Sequence, residues 1–208
     1  MLVIGILGGV ASGKSLVSRQ LVALGARLLD ADRAGHEVLY EEKVKQAIRE
    51  RWGDAVFNEL GEVNRSAVAN IVFAPEPHGP GELTFLEQLT HPRIREKLNT
   101  IIATERAAGV TPAMVLDAPV MLKSGWDTIC DRVLFVDANR THRLERARAR
   151  GWSEADFDAR EAAQVPLETK RQRADALIRN NGTQEETREQ VEQFWLSLGL
   201  GLHQARSS

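Results

Sequence analysis

The chain opens on a short, almost wholly apolar run, Leu2 to Leu7, that ends in glycines. Such a run is what a strand buried on both faces of a parallel sheet requires. From Lys14 the period changes: Val17, Leu21 and Leu24 fall at i, i+4 and i+7, which predicts a helix stopped by Gly25. Ala26 to Leu29 reads as a second short strand that delivers Asp30 and Asp32 at its carboxyl end. From Arg33 to about Gly109 the pattern is helical with no convincing strand, carried by Val44, Ile48 and Trp52, then Val68, Ile71 and Val72, then Ile94, Leu98, Ile101 and Ile102. Within it, Ala74 to Glu82 (APEPHGPGE) reads as an exposed loop, and His91-Pro92 as a helix start with proline at the first helical position. Thr111 and Pro112 break the chain before two further buried strand candidates, Ala113 to Leu116 and Arg132 to Val136. An arginine-rich helical stretch runs from Asp137 to about Arg173, with Ser153 and Asp156 at capping-box spacing. Ala176 to Ile178 is a candidate last strand. Thr183 and Glu186 then open a closing amphipathic helix bearing Val191, Phe194, Trp195 and Leu198, and the tail His203 to Ser208 reads as fraying.

Strand, glycine loop and helix in that order, repeated around a helical insert, make the chain an α/β protein with a wound βα sheet. At 208 residues and 43% hydrophobic it can bury a sizeable core as one such domain with an inserted subdomain. A net charge of −2 gives no global reason to bind nucleic acid or anionic lipid, so any phosphate binding must be local. The single cysteine, Cys130, excludes an internal disulfide framework and a cysteine-rich zinc site, and no histidine pair stands at metal-ligand spacing. No membrane-spanning run and no targeting segment is visible, so the expected home is the reducing cytoplasm. The four tryptophans read as core or helix-packing residues.

The strongest chemical signal is Gly8-Gly9-Val10-Ala11-Ser12-Gly13-Lys14-Ser15, which fits G-x-x-x-x-G-K-[ST] between a predicted strand and its helix. Glycines let successive backbone N–H groups turn inward around a phosphate, and the helix adds the positive end of its dipole. Lys14 would reach the β- and γ-phosphates and Ser15 would ligand Mg²⁺. A guanine reader of the Asn-Lys-x-Asp kind is missing, since no asparagine is followed by lysine, which argues against a GTPase. At the end of the second strand, beside that loop, Asp30 is assigned the cap of the next helix and Asp32 the role of proton acceptor. Arg143, Arg146 and Arg150 fall at i, i+3 and i+7, within a stretch from Arg140 to Arg173 holding nine basic and six acidic residues. That local excess favours a phosphate-facing lid over a merely solvated face. Asp117, ending the third strand, can accept a water of the Mg²⁺ shell or cap a turn with equal ease. His91 reads as a cap on these grounds alone.

Taken together, IGILGGVASGKS, LLDADRAGHEV at Leu28 to Val38, LTHPRIREKL at Leu89 to Leu98, VLDAPVML at Val115 to Leu122, DRVLFVDA and ADALIRNNG at Ala174 to Gly182 resemble the dephospho-coenzyme A kinase family, from the first strand to about Gly182. The resemblance implies a three-layer P-loop kinase with a five-stranded parallel sheet. Its core would be 1–32, 110–139 and 174–202, its helical coenzyme A domain 33–109 and its lid 140–173. ATP would phosphorylate the ribose 3′-hydroxyl of the small molecule dephospho-coenzyme A, in a monomer or weak homo-oligomer. By matched position, the resemblance assigns catalysis to Asp32, Lys14 and Arg146, and ATP binding to Gly9 through Leu16, Arg146, Arg150 and Asn181. It assigns acceptor binding to Asp32 and His91, which lifts His91 above the cap reading; the Mg²⁺ roles of Ser15, and of Asp117 through water, stay as read from motif and strand end. Three departures stand out: Ala11 replaces a usual glycine, Leu16 a usual threonine, and Lys123 a common acidic residue. A small Ala and a side chain beyond the Mg²⁺ ligand should be tolerated. The rival readings are a small-metabolite kinase of the shikimate or gluconate type, which would lack the helical insert, and a non-catalytic ATP-binding regulatory module, which would need no Asp32.

Overall fold

The computed structural model describes residues 1–201, so the tail with His203 lies outside it. In chain order the elements are β1 (Leu2–Gly8), α1 (Lys14–Ala23), β2 (Arg27–Leu29), α2 (Ala31–Val38), α3 (Glu42–Trp52), α4 (Arg65–Val72), α5 (Gly79–Ala108), β3 (Ala113–Leu116), β4 (Arg132–Asp137), α6 (Arg140–Arg148), α7 (Glu154–Ala162), α8 (Leu167–Gln172), β5 (Ala176–Arg179) and α9 (Gln184–Ser197). They divide into two compact units, Met1–Leu29 with Ile101–Ser208, and Asp30–Thr100. Among the described residues no helix is long and apolar enough to cross a membrane.

The first unit holds a five-stranded sheet in the order β2-β3-β1-β4-β5. Every pairing is parallel, with Ile4 opposite both Val115 and Arg132. Central β1 is buried from Val3 through Gly8, which is why its sequence is nearly continuous in apolar residues rather than alternating. On one face Ile4, Ile6, Val115, Leu134 and Ile178 pack on Val17 and Leu21 of α1 and Val191 and Trp195 of α9. Since β2 and β3 lie to one side of β1 and β4 and β5 to the other, the strand order reverses at the carboxyl end of β1, where wound sheets leave a ligand crevice. The amino ends are closed differently. Asp131 donates its N–H to the Val3 carbonyl (2.8 Å) and takes the Val3 N–H on its carboxylate (2.7 Å). Asp175 repeats the arrangement on Val133 at the same two distances.

The second unit is helical, with Ala34, Val38, Val44, Ile48, Val68, Val72, Ile94 and Leu98 buried. Its only strand-like feature among the described residues is the bridge Phe57 to Val63. Two expectations need correction here. The stretch Ala74 to Glu82 is a loop only in its first half, because α5 begins at Gly79. Pro80 costs nothing in a first turn, where an N–H has no intrahelical partner, and Glu82 there holds the Trp52 indole (2.7 Å) and Arg51 (2.8 and 3.0 Å). Nor does a helix start at His91-Pro92, since α5 runs through Pro92. The turn disturbed by proline is supported by side chains: the Arg93 guanidinium donates to the Leu89 carbonyl (2.6 Å) and the Thr90 hydroxyl to Leu86 (2.7 Å). The same helix explains why the unit ends at Thr100 rather than 109: its last turns belong to the first unit, where Glu105 meets Arg27 and the Thr111 hydroxyl (2.8 Å).

Candidate active site

Between Gly8, the last residue of β1, and Lys14, the first of α1, the chain closes a tight loop. Inside it the Ser12 N–H donates to the Gly9 carbonyl (3.2 Å), and the Gly13 carbonyl takes the N–H groups of Leu16 and Val17. Gly13 has φ +98°, and a Cβ there would lie 2.0 Å from Asn180 Nδ2, so both conformation and space require glycine. Ala11 has φ +56°, the left-handed region, where an L side chain costs about 1–2 kcal/mol. Its methyl is offset by packing: Val10 and Ala11 join Leu144, Ala147 and Phe157 in a buried cluster, with Trp152 against it. The substituted alanine is thus accommodated, at the cost of backbone strain.

The loop forms one wall of a cavity of about 290 Å³ lined also by Lys14, Ser15, Leu16, Arg19, Arg146, Arg150, Asn180, Gly182 and Gln184. Lys14 has its ammonium pKa lowered, chiefly by burial; the Asp117 carboxylate acts against that shift, and the Arg150 charge adds to it. Asp117, directly after β3, therefore places its charge where it bears on the loop lysine. The Arg146 guanidinium donates to the carbonyls of Ser12 (3.1 Å) and Asn180 (2.7 Å). Burial, then the Arg150 charge, lowers its pKa, and a guanidinium remains charged regardless. Ser15 lies exposed in the first turn of α1. Four cations, Lys14, Arg19, Arg146 and Arg150, thus line a cavity at the mouth of a phosphate-type loop.

The arginine row does not act as one face. Arg150 lies beyond α6, which ends at Arg148 before Gly151 turns the chain with φ +81°. Arg143 is only 4% exposed and points into the protein. It donates to the carbonyls of Ala138 (3.0 Å) and Val10 (3.4 Å), pairs with Glu161, and lies over the Phe157 ring at 5.3 Å. Arg140 and Arg148 share Glu154 at the surface, as a solvated row would. Only Arg146 and Arg150 reach the cavity.

In the other unit, Asp30 caps α2 by accepting the Arg33 N–H (2.8 Å), leaving Asp32 exposed in the first turn. His91 lies half-buried within α5. Asn181 accepts the Asn139 N–H on its side-chain oxygen (2.8 Å), and it is the flanking Asn180 and Gly182 that line the cavity. Asn180 also donates to the Ser12 carbonyl (2.8 Å) and accepts from Thr187 (3.0 Å). Two neighbouring asparagines offer no sequence signal to tell which faces inward. Arg19 and Gln184 were likewise passed over, and so was buried Lys170, the only lysine in the arginine-rich segment. Among the described residues no group of three or more His, Cys, Asp or Glu could hold a metal by itself.

Likeness of fold does not by itself separate one kind of kinase from another. A shikimate kinase from Acinetobacter baumannii superposes with a TM-score of 0.52 at 15% identity, covering 98% of this chain and 96% of that one, a likeness of fold alone. A Thermus thermophilus structure is nearer, with a TM-score of 0.76 and 31% identity over 96% of this chain and 98% of that one. Among curated sequences, the dephospho-CoA kinase of Symbiobacterium thermophilum is 38% identical over 94% of this chain and 80% of its own length. That of Geobacter sulfurreducens is 36% identical over 94% of this chain and 98% of its own. Since the family model for dephospho-CoA kinase matches residues 2–186, taking in loop, insert and arginine-rich segment alike, the chain belongs to the dephospho-CoA kinase family.

Proposed function

We propose that this chain transfers the γ-phosphoryl of ATP to the ribose 3′-hydroxyl of dephospho-coenzyme A through the residues that surround the loop cavity, with Asp32 as proton acceptor. Residues 9–16 would hold the triphosphate, and Lys14 and Arg146 would neutralise charge on the phosphoryl as it transfers. The 3′-oxygen forms its bond to γ-phosphorus as the bond to the β–γ bridging oxygen breaks. The hydroxyl proton passes to Asp32, and ADP carries away the electron pair. Arg150 closes the cavity, and Asn181 fixes the 180–182 turn at its adenine end. His91 serves the acceptor. The Ser15 hydroxyl, and Asp117 through water, are hard oxygen donors of the kind that hold Mg²⁺ when phosphates complete its shell. Mg²⁺ so held would add charge neutralisation at the β- and γ-oxygens. We place this chemistry in the cytoplasm.

The observation that carries this reading is the convergence of Lys14, Arg146 and Arg150 on one cavity beside the loop. The test is ADP release by the purified protein with Mg·ATP, with and without dephospho-coenzyme A, shikimate or gluconate, together with product mass. Coenzyme A formed only from dephospho-coenzyme A supports it. ADP release indifferent to every acceptor would overturn it.

A further inference from the structure

Lys170, on α8, is 4% exposed, and nothing in the reaction just described uses it. Its ammonium donates to the Gly8 carbonyl (3.2 Å) and to the Gln164 side-chain oxygen (2.6 Å). Arg143 of α6 holds the Val10 carbonyl (3.4 Å), and Arg146 holds that of Ser12 (3.1 Å). Alternate carbonyls of the loop, at 8, 10 and 12, are therefore each taken by a cation from the arginine-rich segment. In a planar trans peptide the C=O and the following N–H point in opposite directions. The Gly8 and Val10 carbonyls, held by the buried Lys170 and Arg143, thus turn the N–H groups of Gly9 and Ala11 the other way, which is the arrangement an anion-binding concavity needs.

We propose that Lys170 is a positioning residue of the phosphate loop, an ammonium that holds the Gly8 carbonyl from behind, aims the Gly9 N–H at the nucleotide and adds its charge to that of Lys14. This rests on the reading of residues 8–15 as the nucleotide cradle. The charged groups that face Lys170 come from each element around it. Lys14 of α1 and Arg143 of α6 oppose its charge and Glu161 of α7 supports it, while burial has the largest effect and brings the ammonium to about 8. Glu161 is itself engaged by Arg143, so the cluster carries excess positive charge until an anion arrives. A bound polyphosphate favours the protonated form. Nucleotide affinity is therefore fully developed below about pH 8 and falls above it, with proton uptake accompanying binding.

The test is calorimetric titration with Mg·ADP at pH 7 and pH 9, each in two buffers of different ionisation enthalpy. The wild type is expected to take up protons on binding at pH 9 and to bind more weakly there than at pH 7. Lys170→Met should raise Kd at pH 7 about tenfold or more. Lys170→Arg should bind at pH 7 within about threefold of wild type, because the charge survives, and should lose the Lys170 share of the uptake because guanidinium does not titrate. Undiminished uptake in Lys170→Arg, or a Lys170→Met Kd within twofold of wild type, would overturn the proposal. If neither variant folds, the wild type decides, since no uptake at pH 9 refutes it. Lys14→Ala separates the two readings. An unchanged Kd in Lys14→Ala defeats the loop reading itself, whereas a raised Kd there beside an unaffected Lys170→Met defeats only this inference.

Discussion

Arg143 and Arg146 lie one helical turn apart on α6, yet the structure gives them different work, and substitution should separate stability from activity. Arg143→Met removes a guanidinium that is 4% exposed, leaving the carbonyls of Ala138 and Val10 and the Glu161 carboxylate without it. Breaking a buried pair from one side typically costs about 3–5 kcal/mol. Because the Glu161 side chain keeps 26% of its exposure, water recovers part of that, and the lower end, roughly 3 kcal/mol, applies. For a chain of this size that is a fall in Tm of about 6–12 °C. Arg143→Met with Glu161→Met leaves no stranded charge and should recover about half of the loss or more. Arg146→Ala removes one donor from the Ser12 carbonyl, which keeps the Asn180 amide, and one from the Asn180 carbonyl, both beside an open cavity, so it should cost only about 1 kcal/mol. Its effect should instead be a fall of roughly 10²–10³ in kcat/KM for ATP, the size seen when one donor to a transition-state oxyanion is removed. Urea unfolding and thermal scans give the first set of numbers, and steady-state kinetics the second. A loss below about 1 kcal/mol for Arg143→Met, or a double variant no better than the single one, would refute the assignment of Arg143 as a structural anchor.

Asp32→Asn should lower kcat by about two decades or more while Mg·ADP binds as before; a near wild-type kcat would remove Asp32 from the mechanism. Gly13→Ala puts a methyl 2.0 Å from Asn180 Nδ2, and steady-state kinetics should show KM for ATP raised about tenfold or more as the Asn180 to Ser12 bond is lost. At Ala11, Gly should relieve about 1–2 kcal/mol of left-handed strain while losing a buried methyl and stiffening, so Tm should stay within about 3 °C. Ala11→Val adds β-branching at the same φ and should lower Tm by about 5 °C or more, as read by calorimetry.

Much of the fold was legible because local signals agreed with each other. The apolar run of β1, the period shift at Val17 and the paired Ser153/Asp156 and Thr183/Glu186 caps each recur in the structure, both capping boxes with their bonds in both directions. The helix start read at His91-Pro92 was wrong because a proline's neighbours can support an interrupted turn, and Arg93 and Thr90 do so through side chains invisible to periodicity. At the site, the loop follows from its motif, and the strand end marks Asp117 without fixing its role. Arg143 could not be told from Arg146 by spacing, since which face of α6 turns inward depends on Val10, Phe157 and Glu161, which are distant in sequence or on other elements. Lys170 and Asn180 escaped for the same reason: their partners, Gly8 and Ser12, lie more than 160 positions away.

The reciprocal bonds of Asp131 with Val3 and of Asp175 with Val133 clamp the amino ends of neighbouring strands, at the end of β1 opposite the loop. In hydrogen-exchange terms, the amides of Val3 and Val133 should open only with the whole sheet, whereas those of the loop can open by local excursions. The slowest-exchanging amides then report global stability and the fastest report the working end. Variants that loosen nucleotide handling need not move the first class at all, and a variant that moves both has damaged the sheet rather than the chemistry.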